Sequence, residues 1–263
     1  YGFLSTLPYK GHTILYDELA HASILDGIFK SKATPVAFKH NDMQQLKTML
    51  QSANGIKYVV VEAVYSMDGD EAPLQQLVEL CDQFDAALIV DEAHAIGLYG
   101  ANGEGLVQAL QLEERVFARV HTYGKALGAH GAAITGPKLL ISFLINYCRP
   151  FIFSTALPLH AIAAIRKAYE YLPLQKQRIQ HVFKLAETLQ QQVQGGRYKL
   201  LPAKGPIQSL IIPGEQQVKD AAKIIRVQGF DVRPIVKPTV PAGQERIRIC
   251  LHAYNTTEQV VNL

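Results

Sequence analysis

The residues best suited to chemistry are an acidic pair and a histidine in the segment DEAHAIG, at positions 91–97. They follow a run of small and apolar residues, AALIV at 86–90, which predicts a buried strand ending near Asp91. An acidic pair after a buried strand is typical of helicases, where it handles magnesium and water beside a nucleoside triphosphate. A DEAH-type NTPase is therefore the first hypothesis to test against the rest of the chain.

That hypothesis requires a glycine-rich loop that ends in Lys-Ser or Lys-Thr and binds phosphate. The chain contains one Gly-Lys pair, Gly124-Lys125, but Ala126 follows it and no glycine lies five residues before Gly124. The segment GANGEG at 100–105 follows the acidic residues and does not lead from a strand into a helix, so it indicates a surface turn. The sequence therefore disfavours a nucleotide motor.

The same region also suits pyridoxal phosphate, whose ring nitrogen stays protonated beside a carboxylate and whose aldehyde reacts with a lysine. Asp91 ends a strand and can face the ring nitrogen, and His94 lies three residues later, where it can contact the ring hydroxyl. Lys125 follows another strand, within the glycine-containing segment VHTYGKALGAHGA at 120–132, and Thr122 offers a hydroxyl to the phosphate. Asp91 and Lys125 at two consecutive strand ends together predict this cofactor.

Short apolar segments that alternate with helical patterns must position these residues. Strands are predicted at Thr13–Tyr16, Pro35–Phe38, Lys57–Val61, Ala87–Val90, Val116–Thr122 and Gly131–Thr135. Helices are predicted between them, at Ala22–Phe29, Met43–Gln51 and Leu74–Phe84. This alternation predicts an α/β fold with a mostly parallel central sheet, covered by helices on both faces, that binds ligands beyond the carboxyl ends of its strands.

The pattern divides the chain into three parts. Residues 1–150 are predicted to form a large cofactor-binding domain, residues 151–195 two connecting helices, and residues 196–263 a smaller α/β C-terminal domain. Its predicted elements are Ser209–Ile212, a helix at Gln216–Gln228, Asp231–Ile235 and Arg246–Leu251. The chain begins without a methionine and stops inside an amphipathic helix that starts at Thr256, so we expect both ends to be incomplete.

Composition narrows the possible partners and compartments. The net charge is +3 and the 26 basic residues are scattered, which predicts no nucleic-acid partner. No segment approaches the roughly 18 consecutive apolar residues of a membrane helix, and no signal peptide is apparent. Cys81, Cys148 and Cys250 are odd in number and far apart, which fits neither a disulfide framework nor a metal site. We therefore expect a cytoplasmic protein without a metal.

Six segments, in order along the chain, resemble the α-oxoamine synthases, a branch of the fold type I pyridoxal phosphate enzymes. These segments are DELAHAS (17–23), EAVYSMDGDEAPL (62–74), DEAHAIGLYG (91–100), HTYGKALGAHGA (121–132), FSTALP (153–158) and PTVPAGQERIRICLHA (238–253). The resemblance covers almost the whole chain and implies the aminotransferase-like fold of that group.

The resemblance also implies roles for residues at matching positions. His21 would stack on the cofactor ring, and Glu62 and Ser66 would lie at the ring edge and in the hydrogen-bond network of the active site. Thr155 would contact the phosphate bound by a neighbouring subunit, which implies a homodimer with shared active sites. Arg248 would bind the amino-acid carboxylate, for which a planar bidentate donor is well matched. Catalysis would involve Lys125, together with His94 and His21.

The activity implied is a decarboxylative condensation of an amino acid with an acyl thioester. The matching segments favour L-alanine with pimeloyl thioester, on coenzyme A or acyl carrier protein, as in biotin biosynthesis. Family branches that use acetyl, succinyl or palmitoyl thioesters stay as alternatives, and a non-catalytic scaffold of the same fold is a further one. Asp68 and Asp70 are interpreted as turn formers, and alternation alone would put Arg246 and Arg248 on an exposed face.

The chain departs from its relatives in two respects. Several relatives carry an arginine just before the PTVP segment, where this chain has Val236 with Lys237 beside it. Relatives also carry, upstream of the position of Tyr1, a glycine- and serine-containing segment whose amides bind the phosphate. We therefore expect a chain of these 263 residues alone to bind the cofactor weakly or not at all.

Overall fold

The computed structural model describes residues 1–263, which group into two compact units. The first comprises Tyr1–Val64 and Ala72–Leu174, and the second comprises Tyr65–Glu71 and Gln175–Leu263. This division differs from the predicted boundaries at 150 and 195. The boundary between the units falls between the two connecting helices predicted from the sequence. The second of these helices packs its apolar side chains, including Leu185 and Leu189, into the hydrophobic core of the C-terminal unit.

A six-stranded sheet forms the centre of the first unit, in the order β2-β1-β3-β4-β5-β6. Its strands are β1 (Thr13–Asp17), β2 (Thr34–Phe38), β3 (Lys57–Glu62), β4 (Ala86–Asp91), β5 (Ala118–Thr122) and β6 (Ala132–Thr135). The first five strands are parallel, and only β6 pairs antiparallel, with β5. The predicted mostly parallel sheet is therefore confirmed, and each predicted strand lies within two residues of an observed one.

Helices connect these strands. They are α1 (Gly2–Thr6), α2 (Ala22–Lys30), α3 (Met43–Ser52), α4 (Leu74–Gln83), α5 (Leu106–Ala109), α6 (Lys138–Tyr147), α7 (Arg149–Ile152) and α8 (Leu159–Tyr171), followed by a 3-10 turn at Leu172–Leu174. Local capping explains where two of them begin: the Asp42 carboxylate accepts a hydrogen bond from Gln45 N (2.8 Å), and the His21 ring accepts one from Ser23 N (3.2 Å).

Both faces of the sheet are buried. On one face, side chains of alternate residues such as Tyr16, Val60 and Ile89 share an apolar cluster with residues of α1, α2 and α6. The intervening residues, such as Val59 and Val90, point the other way and are also buried. Helices α3 and α4 contact the sheet through β1 and β4. Helices therefore cover the sheet on two sides, as the sequence predicts.

The second unit is built on a four-stranded antiparallel sheet in the order β7-β8-β10-β9. Its elements are α9 (Lys176–Val193), β7 (Lys199–Leu200), β8 (Ile207–Ile211), α10 (Glu215–Val227), β9 (Arg233–Ile235), β10 (Arg246–Cys250) and α11 (Thr257–Asn262). A capping box at Thr256 and Gln259 starts α11. Across the whole chain, no helix has the length and apolar character needed to cross a lipid bilayer.

Candidate active site

Four polar side chains end four neighbouring strands of the large sheet. Asp17 ends β1, Glu62 ends β3, Asp91 ends β4 and Thr122 ends β5. In a parallel sheet these ends share one edge, where ligands of such folds bind. Glu62, Asp91 and Thr122 follow Val60, Ile89 and Val120 by two residues each, so they point to the face covered by α1, α2 and α6.

A cavity of about 670 Å³ opens on that face of the first unit. Asp91, Thr122 and Ser23 contribute polar side chains to its wall. Most of the remaining lining is apolar, from the sheet, α1, α2, α6 and α7: Phe3, Leu4, Ile24, Val60, Ile89, Val120, Ile134, Ile141, Leu144, Ile145 and Phe151. A cavity of this volume with a few convergent polar groups is typical of cofactor and substrate sites.

The Asp91 carboxylate lies in this apolar surrounding. Burial raises the pKa of Asp91, although a hydrogen bond from Ala93 N (2.8 Å) and the positive charge of Lys125 act in the opposite direction. A buried carboxylate gains most from a cationic partner that enters the same low-dielectric space. Asp91 is therefore suited to hold a protonated ring nitrogen.

Glu62 is the neighbour of Asp91 on the adjacent strand. Its side chain is 2% exposed, and its Oε1 atom is buried with no hydrogen-bond partner. Burial raises the pKa of Glu62 to about 8, and repulsion from Asp91 adds to the rise. A hydrogen bond from the His21 backbone and the charge of Lys125 counteract it in part. The Glu62 carboxyl group is therefore protonated at neutral pH.

The two basic residues predicted for the cofactor lie within electrostatic reach of this acidic pair. His21 is exposed at the start of α2, and Lys125 is exposed in the turn between β5 and β6, where Gly128 N donates to the Lys125 carbonyl (3.0 Å). Both lower the pKa of Asp91 through their charge. The structure thus brings together His21, Glu62, Asp91 and Lys125.

The other predicted residues of the first unit lie in a turn, in a loop and at the end of β5. His94 is half-buried in the turn that follows β4, three residues after Asp91. Thr155 is exposed in the loop between α7 and α8. Thr122 lines the cavity with Asp91.

Glu92, the second acid of the DEAH segment, is fully occupied by the backbone. Its side chain is 0% exposed, and its two oxygens accept hydrogen bonds from Leu106 N (2.8 Å) and Val107 N (2.9 Å) at the start of α5. This carboxylate fixes the loop after β4, and its complete burial gives a hydrated magnesium ion no access to it. The helicase interpretation of the segment fails on this residue.

The remaining two predicted residues, Ser66 and Arg248, belong to the second unit. Ser66 is half-buried in the turn 66–68. Arg248 is half-buried in β10, and its Nε atom is buried without a hydrogen-bond partner. Val236, at the position where relatives carry an arginine, packs against the apolar cluster of this unit.

Arg246 corrects one interpretation made from the sequence. Alternation alone would put Arg246 and Arg248 on an exposed face, but Arg246 is 4% exposed and pairs with Asp68. Asp68 is therefore more than a turn former. The sequence contained no signal for this pair, because the two residues lie 178 positions apart.

Comparison with known proteins identifies the fold family. A model of the aminotransferase class I and II family matches residues 3–263. The chain belongs to this family. Together with the relatives and solved structures named next, this match confirms the resemblance to the α-oxoamine synthases and the fold type I architecture.

The chain is similar to individual members of the family, in sequence and in structure. It is 41% identical, over 95% of its length, to the 8-amino-7-oxononanoate synthase of Anaeromyxobacter dehalogenans, and it spans 63% of that relative's length. The solved serine palmitoyltransferase of S. paucimobilis with bound PLP is 28% identical, with a TM-score of 0.93, and the match covers 99% of this chain and 68% of that one. The solved 8-amino-7-oxononanoate synthase of Francisella tularensis is 26% identical, with a TM-score of 0.87 over 99% and 76% of the two chains.

Proposed function

We propose that this member of the aminotransferase class I and II family is a pyridoxal phosphate-dependent acyltransferase. It condenses L-alanine with a pimeloyl thioester, carried by coenzyme A or acyl carrier protein, and releases carbon dioxide and 8-amino-7-oxononanoate for biotin biosynthesis. The observation that carries the proposal is Asp91, a half-buried carboxylate that lines an apolar cavity under the influence of the Lys125 charge. The curated relative with 41% identity bears the name of this activity.

The residues present fit pyridoxal phosphate. Asp91 would hold the ring nitrogen, Thr122 the phosphate, and His21 one face of the ring, while Lys125 would bind the aldehyde carbon. The hydrogen bonds around the ring would be completed by His94, Ser66 and Glu62. When bound, this cofactor supplies an electron-withdrawing ring that stabilises negative charge at the α-carbon of an amino acid.

The chain's own residues would carry the proton and orient the substrate. Arg248 binds the carboxylate of the amino acid with its planar guanidinium, and the unpartnered Nε atom supports this role. The amino group of the substrate would replace Lys125 at the aldehyde carbon, and the freed Lys125 amine takes the α-proton on its nitrogen. The α-carbon then attacks the thioester carbonyl, the carbon–sulfur bond breaks, and the thiol leaves. After carbon dioxide departs, Lys125 returns a proton to the α-carbon.

Three other activities of the same family are the alternatives: 2-amino-3-ketobutyrate ligase, 5-aminolevulinate synthase and serine palmitoyltransferase. The likeness to a solved serine palmitoyltransferase supports the last of these. They differ in the amino acid and in the acyl length, so an assay with alanine, glycine and serine against thioesters of several chain lengths separates them. Highest turnover with alanine and the pimeloyl thioester is the expected result, and a preference for another pair would replace this assignment.

The cofactor assignment is tested at Lys125. Titration of the protein with pyridoxal phosphate is expected to produce the visible absorption band of the lysine-bound cofactor, and Lys125→Ala is expected to abolish both the band and turnover. The matched control is Lys138→Ala, because Lys138 is also exposed and lies in the same unit. A Lys125→Ala protein that kept the band and the activity would refute the assignment. The same titration measures whether these 263 residues alone bind the cofactor weakly.

We further propose a homodimer in which Thr155 reaches the phosphate in the partner's site. Exposed apolar side chains lie on α6, α7 and α8 and in the loop that carries Thr155: Leu139, Tyr147, Phe151, Phe153, Leu159 and Ile162. An apolar patch of this kind marks an interaction site. A cytoplasmic location is supported by the three cysteines, which are all unpaired.

A further inference from the structure

The segment Tyr65–Glu71 groups with the C-terminal unit, although it lies in sequence between β3 and α4. Two hydrogen bonds from this unit reach it: Ser209 Oγ donates to the Met67 carbonyl (2.6 Å), and Lys204 Nζ donates to Glu71 Oε2 (2.7 Å). Gly69 approaches the unit closely, because a Cβ atom there would lie 2.2 Å from the Ile207 carbonyl oxygen. The segment is therefore attached to this unit at several points along its length.

The strongest attachment is an ion pair between Asp68 and Arg246. The guanidinium of Arg246 donates to Asp68 Oδ1 through one terminal nitrogen, and its Nε donates to the Gln244 carbonyl (3.0 Å). The Arg246 side chain is 5% exposed and that of Asp68 is 22% exposed. A charge this far from water depends on its partner, because removal of one member leaves the other uncompensated.

The same strand, β10, carries Arg248. Arg246 and Arg248 are two residues apart and lie on one face of β10. Arg248 pairs in register with Ser209 of β8, whose hydroxyl binds the residue next to Ser66. Arg246 uses its donors within the protein, whereas Arg248 Nε is buried with no partner. Arg246 therefore holds the segment, whereas Arg248 keeps a hydrogen-bond donor for a ligand.

We propose that Asp68 and Arg246 are positioning residues that fix the Tyr65–Glu71 segment, with Ser66, to the strand that carries Arg248. This inference rests on the proposed function for the roles of Ser66 and Arg248. A small displacement of groups that orient a substrate weakens its productive binding strongly. The pair therefore controls binding of the amino acid through Arg248 and the contact of Ser66 with the cofactor, while Lys125 and the thioester do not depend on it.

The test uses Asp68→Asn, which keeps the shape of the side chain, and Arg246→Gln, which keeps a polar but shorter side chain; each removes one charge. In the protein loaded with cofactor, the apparent Kd and KM for L-alanine are expected to rise on the order of tenfold or more. The KM for the thioester is expected to stay unchanged, and the absorption band of the lysine-bound cofactor is expected to form, because Lys125 lies outside the segment. Hydrogen exchange is expected to become faster at the amides of Tyr65 and Gly69, which now donate to the Asp70 and Tyr65 carbonyls.

A double-mutant cycle strengthens the test. Because the two residues act as one pair, the double variant is expected to bind alanine no more weakly than the worse single variant. The matched controls are Asp231→Asn and Arg233→Gln, which break the exposed Arg233–Asp231 pair on β9, the strand on the other side of β10. These controls are expected to match the parent protein in every readout.

Each outcome decides for or against the pair. Faster exchange with an unchanged Kd for alanine overturns the positioning role, and so does unchanged exchange. If either charge-neutral variant fails to fold, Asp68→Glu and Arg246→Lys replace it, with the same rise in alanine Kd expected and an unchanged Kd overturning the proposal. A parent protein that responds to no amino acid contradicts the proposed function, and amide exchange alone then decides whether Asp68 and Arg246 hold the segment.

Discussion

Glu62 and Asp91 are direct neighbours in the register of β3 and β4, at the carboxyl ends of two parallel strands. Both side chains point to the same face of the sheet, Glu62 buried and Asp91 half-buried, and removal from water raises the pKa of each. Two negative charges this close in a low-dielectric site repel each other. One of the two carboxyl groups therefore keeps its proton from neutral to mildly alkaline pH. Glu62, with a pKa raised to about 8, holds a proton at neutral pH, and a cation that entered the site would favour the ionised form of Asp91.

The first prediction concerns the pH dependence of stability at Glu62. In the unfolded chain a glutamate ionises near pH 4.5, whereas folded Glu62 keeps its proton up to about pH 8. The unfolded state therefore binds fewer protons in this window, and the free energy of unfolding falls by up to about 1.4 kcal/mol per pH unit. Glu62→Gln removes this slope, so the variant gains stability relative to the parent from pH 5 to pH 8.

Urea unfolding at several pH values, in the absence of cofactor, measures the difference. Glu79→Gln is the control, because Glu79 is exposed on α4. A constant difference between Glu62→Gln and the parent across this range would mean that Glu62 ionises normally.

The second prediction concerns Asp17, which is 0% exposed at the end of β1. Burial alone would raise its pKa, but hydrogen bonds from His40 Nδ1 (2.9 Å), Asn41 N (3.0 Å) and Leu19 N (2.9 Å) outweigh burial and hold the pKa below its usual value. These bonds fix the turn that leads to His21. Asp17→Asn is expected to cost about 2–3 kcal/mol at pH 7.

The sign of the pH effect follows from the lowered pKa. The ionised carboxylate stabilises the fold above the unfolded pKa of 3.8, and this contribution is lost as pH falls through the folded pKa. The deficit of Asp17→Asn against the parent should therefore shrink below pH 4, as measured by urea unfolding. Asp26→Asn, at an exposed position of α2, serves as the control. A deficit that stayed the same in acid would contradict the charge-based explanation.

The third prediction concerns Glu92, whose two oxygens cap the first turn of α5. Glu92→Ala leaves the Leu106 and Val107 amides without acceptors, and each buried donor left unpaired costs about 1–3 kcal/mol. We expect a loss of about 3 kcal/mol in the free energy of unfolding and faster hydrogen exchange at these two amides. Glu114→Ala, at an exposed position, should have neither effect. Normal stability of Glu92→Ala would mean that water replaces the carboxylate.

The sequence predicted the large sheet well because each parallel strand there is a short, continuous apolar run between amphipathic helices. It missed α6, whose sequence KLLISFLINY is apolar on nearly all sides and shows no clear helical period. It also missed β7, which is only two residues long. The predicted boundaries between the units differ from the observed one because the sequence of helix α9 does not show which apolar cluster the helix joins.

The candidate site was predictable to the extent that its residues lie at strand ends. Asp91 and Thr122 were found because a polar residue directly follows an apolar strand. The roles of Glu92 and Arg246 were not predictable, because each depends on partners far along the chain: Leu106 and Val107 for one, and Asp68 for the other. Local patterns carry no information about such pairings, which arise only when the chain folds.

The last prediction concerns the apolar patch on α6, α7 and α8. Phe153 is 72% exposed and Leu159 is 85% exposed, on either side of Thr155, and a charge placed in a dimer interface is costly to bury. Phe153→Asp is therefore expected to shift the protein from dimer to monomer in sedimentation and to weaken cofactor retention, because Thr155 then lacks a partner site. The control is Val227→Asp, at an exposed apolar position of α10 in the other unit. A parent protein that sediments as a monomer, or a Phe153→Asp variant that stays dimeric, would place the subunit contact elsewhere and remove the proposed role of Thr155.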